Sequence, residues 1–229
     1  MAVEDQVAVA PVQGAYFRKK LLRWHLDNAR HFPWRETDDA YQILLAEVLL
    51  QRTQAPQVAE RYKGILVAFP TVHALASAPL ETIQDVLRPL GLAKRAITLK
   101  KMGEELVNRY DSRVPASVSK LMGLPGVGRY IATAAAVFAA SAPYAVVDAN
   151  VIRVLERFFG ITSRKRRARD DAALWRTAEL LVPRRRSAKY NRALIDFAAV
   201  VCRPRNPLCP ECPLHERCTA VPTLVGRTS

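Results

Sequence analysis

The chain has 229 residues, half of them hydrophobic, enough to bury a substantial core as one large or two small domains. Thirty-five Lys and Arg against 21 Asp and Glu leave a formal charge of +14, so a polyanionic partner, DNA or RNA, is expected. No apolar run approaches the ~20 residues of a membrane span, and no basic segment precedes an apolar stretch as a secretory signal requires; a cytoplasmic protein with no membrane partner is expected.

In chain order, residues 1–14 (MAVEDQVAVAPVQG) read as a disordered lead-in. Tyr16–Arg30 places Phe17, Leu21, Leu22, Trp24 and Leu26 at helical spacing with basic residues between them, predicting an amphipathic helix. The proline in His31-Phe32-Pro33-Trp34-Arg35 breaks that pattern. Thr37, Asp38 and Asp39 are capping candidates for a helix through about Thr53. It is apolar on most sides, as a buried central helix would be, with Glu47, Gln51 and Gln54 forming a narrow polar line. A carboxylate so surrounded is either paired or faces a cleft. Val58–Tyr110 reads as several short helices, with no alternating strand pattern and no internal repeat. Gly91–Ala96 forms a turn between two of them, carrying Lys94 and Arg95.

The stretch from Leu124 to Gly160 carries the chemistry. Leu124-Pro125-Gly126-Val127-Gly128 is a tight turn that opens directly into an Ala-rich helix. Unpaired N–H groups and the positive end of the helix dipole at such a turn can hold a phosphate without reading bases. After this helix, Val146-Val147-Asp148-Ala149-Asn150 puts a carboxylate at the start of the next. The alternative is a turn between buried helices followed by an N-capping Asp. Residues 162–189 then hold ten Lys or Arg against three acidic residues, a net +7, and the Arg164–Arg167 and Arg184–Arg186 runs bracket a helix containing Trp175 and Leu180. Phosphate contact is the expected use of these runs.

All four cysteines lie in Cys202-x6-Cys209-x2-Cys212-x5-Cys218, one ligand set rather than a disulfide framework. A structural zinc site draws on two close pairs of ligands. One close pair flanked by single cysteines suits four thiolates around a 4Fe–4S cluster, with zinc the alternative and His215 a competing ligand.

LPGVG, the Val-Asp that follows and the cysteine spacing together resemble the helix-hairpin-helix DNA glycosylases that carry an iron–sulfur cluster, from roughly Phe32 to Cys218. The resemblance implies an all-α, two-lobed fold. Residues 37–142 would form a helical domain ending in the hairpin, residues 15–36 plus 143–218 the cluster domain, and residues 219–229 a tail. The partner implied is double-stranded DNA lying across a cleft, with one mismatched or damaged base flipped out toward the catalytic residues. A monomer associated with the nucleoid is expected.

Asp148 is the implied catalytic carboxylate. Breaking an N-glycosidic bond builds positive charge on the sugar, and a fixed carboxylate stabilises that charge or activates water. The family's variable position is Tyr130 here, where endonuclease III-like members carry lysine and adenine glycosylases usually serine. A phenol cannot form a Schiff base, so simple hydrolysis without strand cleavage follows. AEVLLQRTQ resembles adenine and mismatch glycosylases, which implies that Glu47 lines the base pocket and that Gln51 and Arg52 meet DNA, Arg52 entering the stack. Gly126, Gly128 and Arg129 of the hairpin, Arg184, Arg185 and Arg186, and Arg203 beside the cluster are the further DNA contacts expected. The cluster loop would turn Arg203, Arg205 and Arg217 to DNA.

Tyr130, and the absence of the Tyr-Tyr pair that adenine glycosylases carry after the glycine matching Gly91, point to thymine or uracil opposite guanine as the substrate. Two alternatives stand beside this reading. An adenine glycosylase is one, although only eleven residues follow Cys218, leaving no room for a domain that reads oxidised guanine. A catalytically silent iron–sulfur DNA-binding protein is the other.

Overall fold

The computed structural model describes residues 10–163 and 165–221, and among them only helices, turns and loops occur. The first helix, α1 (Pro11–Asn28), starts five residues earlier than the sequence reading places it. Residues 11–14 are therefore its first turn rather than part of a disordered lead-in. Proline is pre-set for that position, and Gly14 is buried. Residues 1–9 of the expected lead-in and residues 222–229 of the expected tail lie outside the described residues, as does Arg164. Thr219 and Ala220 are not free tail: both hydrogen-bond to the Arg157 carbonyl, at 2.9 and 3.0 Å.

The chain divides into two compact units, His31–Ala142 and Met1–Arg30 with Pro143–Ser229. The His31–Ala142 unit contains α2 (Ala40–Leu49), α3 (Ala55–Ala68), α4 (Val72–Ser77), α5 (Leu80–Leu87), α6 (Ala96–Tyr110), α7 (Val118–Met122) and α8 (Arg129–Ala140). Asp39 caps α2 by accepting the Gln42 N–H at 2.9 Å. Ile43 to Leu49 are all buried, so α2 is the central helix its composition implies. It packs against α8, whose Ala132, Ala135 and Ala136 keep the two backbones close. Trp34 packs into this unit's core with Tyr62 edge-on, so residues 31–36 belong here and not with the cysteine loop.

One expectation about α2 fails. The helix ends at Leu49 rather than near Thr53, because Arg52 takes a left-handed conformation (φ 58°) and Gln54 becomes the N-cap of α3. Glu47, Gln51 and Gln54 therefore do not form one line on one helix.

The other unit contains α1, α9 (Ala149–Phe159), α10 (Ala172–Leu181) and α11 (Ser187–Val200). Phe17 and Leu21 of α1, Leu155 and Phe158 of α9, and Leu194 and Phe197 of α11 form its core. The wholly buried Asp196 ties the end of α1 to α11. Its Oδ1 accepts the Arg30 Nε–H at 2.6 Å, its Oδ2 accepts the Arg30 backbone N–H at 3.1 Å, and His25 Nε2 stands 3.2 Å away. Such a carboxylate is tolerated inside because every side of it is paired.

Candidate active site and four-cysteine loop

The hairpin turn is built for glycine at one point. Gly126 has φ +76°, and a Cβ there would lie 2.5 Å from the Thr98 side chain, so both conformation and space exclude other residues. Its carbonyl accepts a hydrogen bond from Gln51 Nε2 at 3.0 Å. One expected DNA contact, Gln51, thus spends a donor on holding the hairpin. Gly128 is the N-cap of α8 and has no side chain with which to cap it, so the first-turn amides lie where the sequence puts a phosphate cradle. Gly126, Gly128 and Arg129 are exposed, and Tyr130 is half-buried on the first turn of α8. Thr133 Oγ1 donates to the Arg129 or Tyr130 carbonyl, both at 2.9 Å, stiffening that turn.

Within the same unit Glu47 is buried on α2, as the pocket or ion-pair readings both require. Arg52 is exposed on its strained backbone position. Burial, and the neighbouring Arg52 guanidinium, lower the pKa of Arg95.

Asp148 is the N-cap of α9, half-buried, and its carboxylate is held at three points. Oδ1 accepts the N–H groups of Asn150 and Val151 at 2.9 and 2.7 Å, and Oδ2 accepts Asn150 Nδ2 at 2.8 Å. Sequence reasoning found the cap but missed what lies behind it. Asn150 Oδ1 accepts from Arg153 at 2.9 Å, while Arg153 also donates to the carbonyls of Cys202 and Ala198 at 2.9 and 2.8 Å. A chain of hydrogen bonds therefore runs from the carboxylate along the first turns of α9 to the first cysteine. The signal available in sequence was only the spacing Asp148, Asn150, Arg153.

None of the four cysteines is in a disulfide, and all four line one apolar cavity together with Val154, Phe158, Phe197 and Leu214. Arg157 anchors the loop, donating to the Arg203 and Pro204 carbonyls at 2.7 and 3.1 Å and lying 3.6 Å from Cys202 Sγ. Burial pushes the Cys212 thiol up to about 12 and raises Cys209 and Cys218 as well. Three thiols that resist ionisation alone are stabilised as thiolates by a cationic centre beside them. Among the described residues no three His, Cys, Asp or Glu side chains gather closely enough to hold one ion. The cavity thus offers spaced thiols around a volume. His215 Nδ1 is engaged with the Cys209 carbonyl at 2.8 Å and does not line the cavity.

Lys165, Arg166, Arg167, Arg184, Arg185 and Arg186 are all exposed. Arg186, like Arg52, is left-handed (φ 68°), at the N-cap of α11. Arg203 is half-buried with its Nε shut off from solvent, so Arg205 is the more available cation of the cysteine loop. Among the described residues no helix is long and apolar enough to cross a membrane.

A fold of this kind is already represented among known proteins. The solved structure of a thermostable thymine-DNA glycosylase superposes with a TM-score of 0.88 at 34% identity, covering 93% of this chain and 98% of that one. The thymine-DNA glycosylase of Aeropyrum pernix is 38% identical over 205 residues, 88% of this chain and 92% of the relative. The thymine/uracil-DNA glycosylase of Pyrobaculum aerophilum is 39% identical over 202 residues, 86% of this chain and 88% of the relative. The family model for the HhH-GPD superfamily of base excision DNA repair proteins matches residues 45–179, a span running from α2 through the hairpin and Asp148 into α10. With that span and those relatives agreeing, the chain belongs to the HhH-GPD superfamily of base excision DNA repair proteins.

Proposed function

We propose that this chain is a monofunctional DNA glycosylase that hydrolyses the N-glycosidic bond of thymine or uracil opposite guanine. The observation that carries the reading is its likeness, over nearly the whole length of both chains, to a thymine-DNA and a thymine/uracil-DNA glycosylase. The chemistry is assigned to this chain's own residues. Water adds to the sugar carbon as the bond to the base nitrogen breaks, the bonding pair leaves with the base, and the base nitrogen takes up a proton. Asp148, held by two backbone N–H groups and Asn150, stabilises the positive charge that builds on the sugar or accepts the proton of the attacking water. Tyr130 has no amine, so no covalent imine forms and the strand is left intact. Glu47 is assigned to the pocket of the flipped-out base.

DNA is the substrate of the family. The phosphate contacts are assigned to the hairpin amides at Gly126 and Gly128, to Arg129, and to Arg184, Arg185 and Arg186, and the entry into the stack to Arg52. Cys202, Cys209, Cys212 and Cys218 are assigned as ligands of a 4Fe–4S cluster, supported by four thiols on one cavity. Bound there, the cluster supplies a rigid centre for the loop, and no step of base excision passes through it. The enzyme is proposed to act as a monomer.

A panel of duplexes carrying T, U or A opposite G or oxidised G tests the substrate. Release of T and U opposite G, with A untouched, is the expected result. Release of A opposite oxidised G with pyrimidines untouched would replace this reading by that of an adenine glycosylase.

A further inference from the structure

Asn191 lies on α11, 45 residues beyond Val146 in the chain, and only 1% of its surface is exposed. Its amide is fully used. Oδ1 accepts the Val146 N–H at 2.8 Å, and Nδ2 donates to the carbonyls of Tyr144 and Ser187, each at 3.0 Å. Val146 offers a donor and the other two offer acceptors, so the partners fix which way the amide points. The Ser187 bond locks the side chain against its own helix, one turn back. Residues 142–147 belong to no helix, and Ala145, Val146 and Val147 are buried. A buried segment without regular structure needs partners for its backbone groups, and the Asn191 amide supplies them as a neighbouring strand would. Two residues past Val146 comes the carboxylate of Asp148.

We infer that Asn191 is a positioning residue for base excision: it fixes the path of residues 144–147 and so the point at which Asp148 delivers its carboxylate. The Asn150 and Val151 amides set how that carboxylate is turned, and Asn191 sets where it stands. This rests on the reading of Asp148 as the catalytic carboxylate. A displacement of about 1 Å at such a group costs on the order of 100-fold in rate.

Asn191→Leu removes all three hydrogen bonds at similar volume. The test measures single-turnover release of T from a T·G duplex, affinity for that duplex, and far-UV circular dichroism, in wild-type and Asp148→Asn backgrounds. Tyr190→Phe, which removes a buried hydroxyl with no hydrogen-bond partner among the described residues, is the control and should release base at the wild-type rate. The expected result is a loss of roughly 10- to 100-fold in the release rate, with affinity within about 3-fold and the helical signal unchanged. Because Asn191 acts through Asp148, the substitution should cause little further loss once Asp148 is Asn. A wild-type rate for Asn191→Leu overturns the inference, and so does an equal fractional loss in both backgrounds or a parallel fall in affinity. Should Asn191→Leu not fold, Asn191→Ser is judged by the same criteria. If Asp148→Asn alone releases base at a near wild-type rate, the assignment of Asp148 fails and takes this inference with it. If Asp148→Asn stops release and Asn191→Leu does not slow it, only the inference fails.

Discussion

Tyr130 is the side chain proposed to separate hydrolysis from strand cleavage. The residue sits on the first turn of α8, where the helix dipole and Arg129 lower the pKa of any amine placed there. Tyr130→Lys should therefore gain the ability to form an imine with the sugar, and borohydride should trap a protein–DNA adduct that the wild type never gives. A variant that releases base yet is never trapped would show that position 130 does not face the sugar. Single residues were the most legible part of the sequence where their chemistry is local. Asp148 could be found because an N-cap is defined by the few residues after it, and Gly126 because only glycine fits a turn of that hand. Arg153 and Asn191 could not be found, since their partners at Cys202 and Val146 are brought to them by the fold alone.

Elements were legible where an apolar pattern and a cap agreed, as at α2 and α9. Pattern failed where backbone conformation overruled it. The helical spacing of Glu47, Gln51 and Gln54 runs on past Leu49, but the left-handed Arg52 ends α2 and turns Gln51 toward the hairpin carbonyl of Gly126. The loop before α11 carries Arg184, Arg185 and Arg186, all exposed. Replacing these three by Gln should lower the slope of log affinity against log salt by about 0.9 for each phosphate they no longer neutralise. The weakening should be the same for every duplex sequence. Weakening confined to one sequence would mean that these arginines read bases.

For the whole molecule, the charge, the all-helical class and the division into two units were readable in advance, and the side on which residues 31–36 fall was not. Nothing local in residues 31–36 reveals that Trp34 packs against Tyr62, or that Thr219 returns to the end of α9. The cysteine loop closes onto α9 through Arg157 and onto the core of its own unit through Leu214 and Phe197. Cys212→Ser should thus lose bound iron, visible colour and soluble protein together, because metal binding and folding are coupled. Zinc at stoichiometry with negligible iron in the wild type would contradict the cluster.

The most direct measurement follows the labelled T strand of a T·G duplex under single turnover, with wild type and Asp148→Asn, before and after alkali. The wild type should leave the strand whole until alkali cuts it at the former T. Asp148→Asn should bind the duplex and release base about two to four orders of magnitude more slowly. Strand cleavage by the wild type without alkali, or near wild-type release by Asp148→Asn, would contradict hydrolysis driven by Asp148.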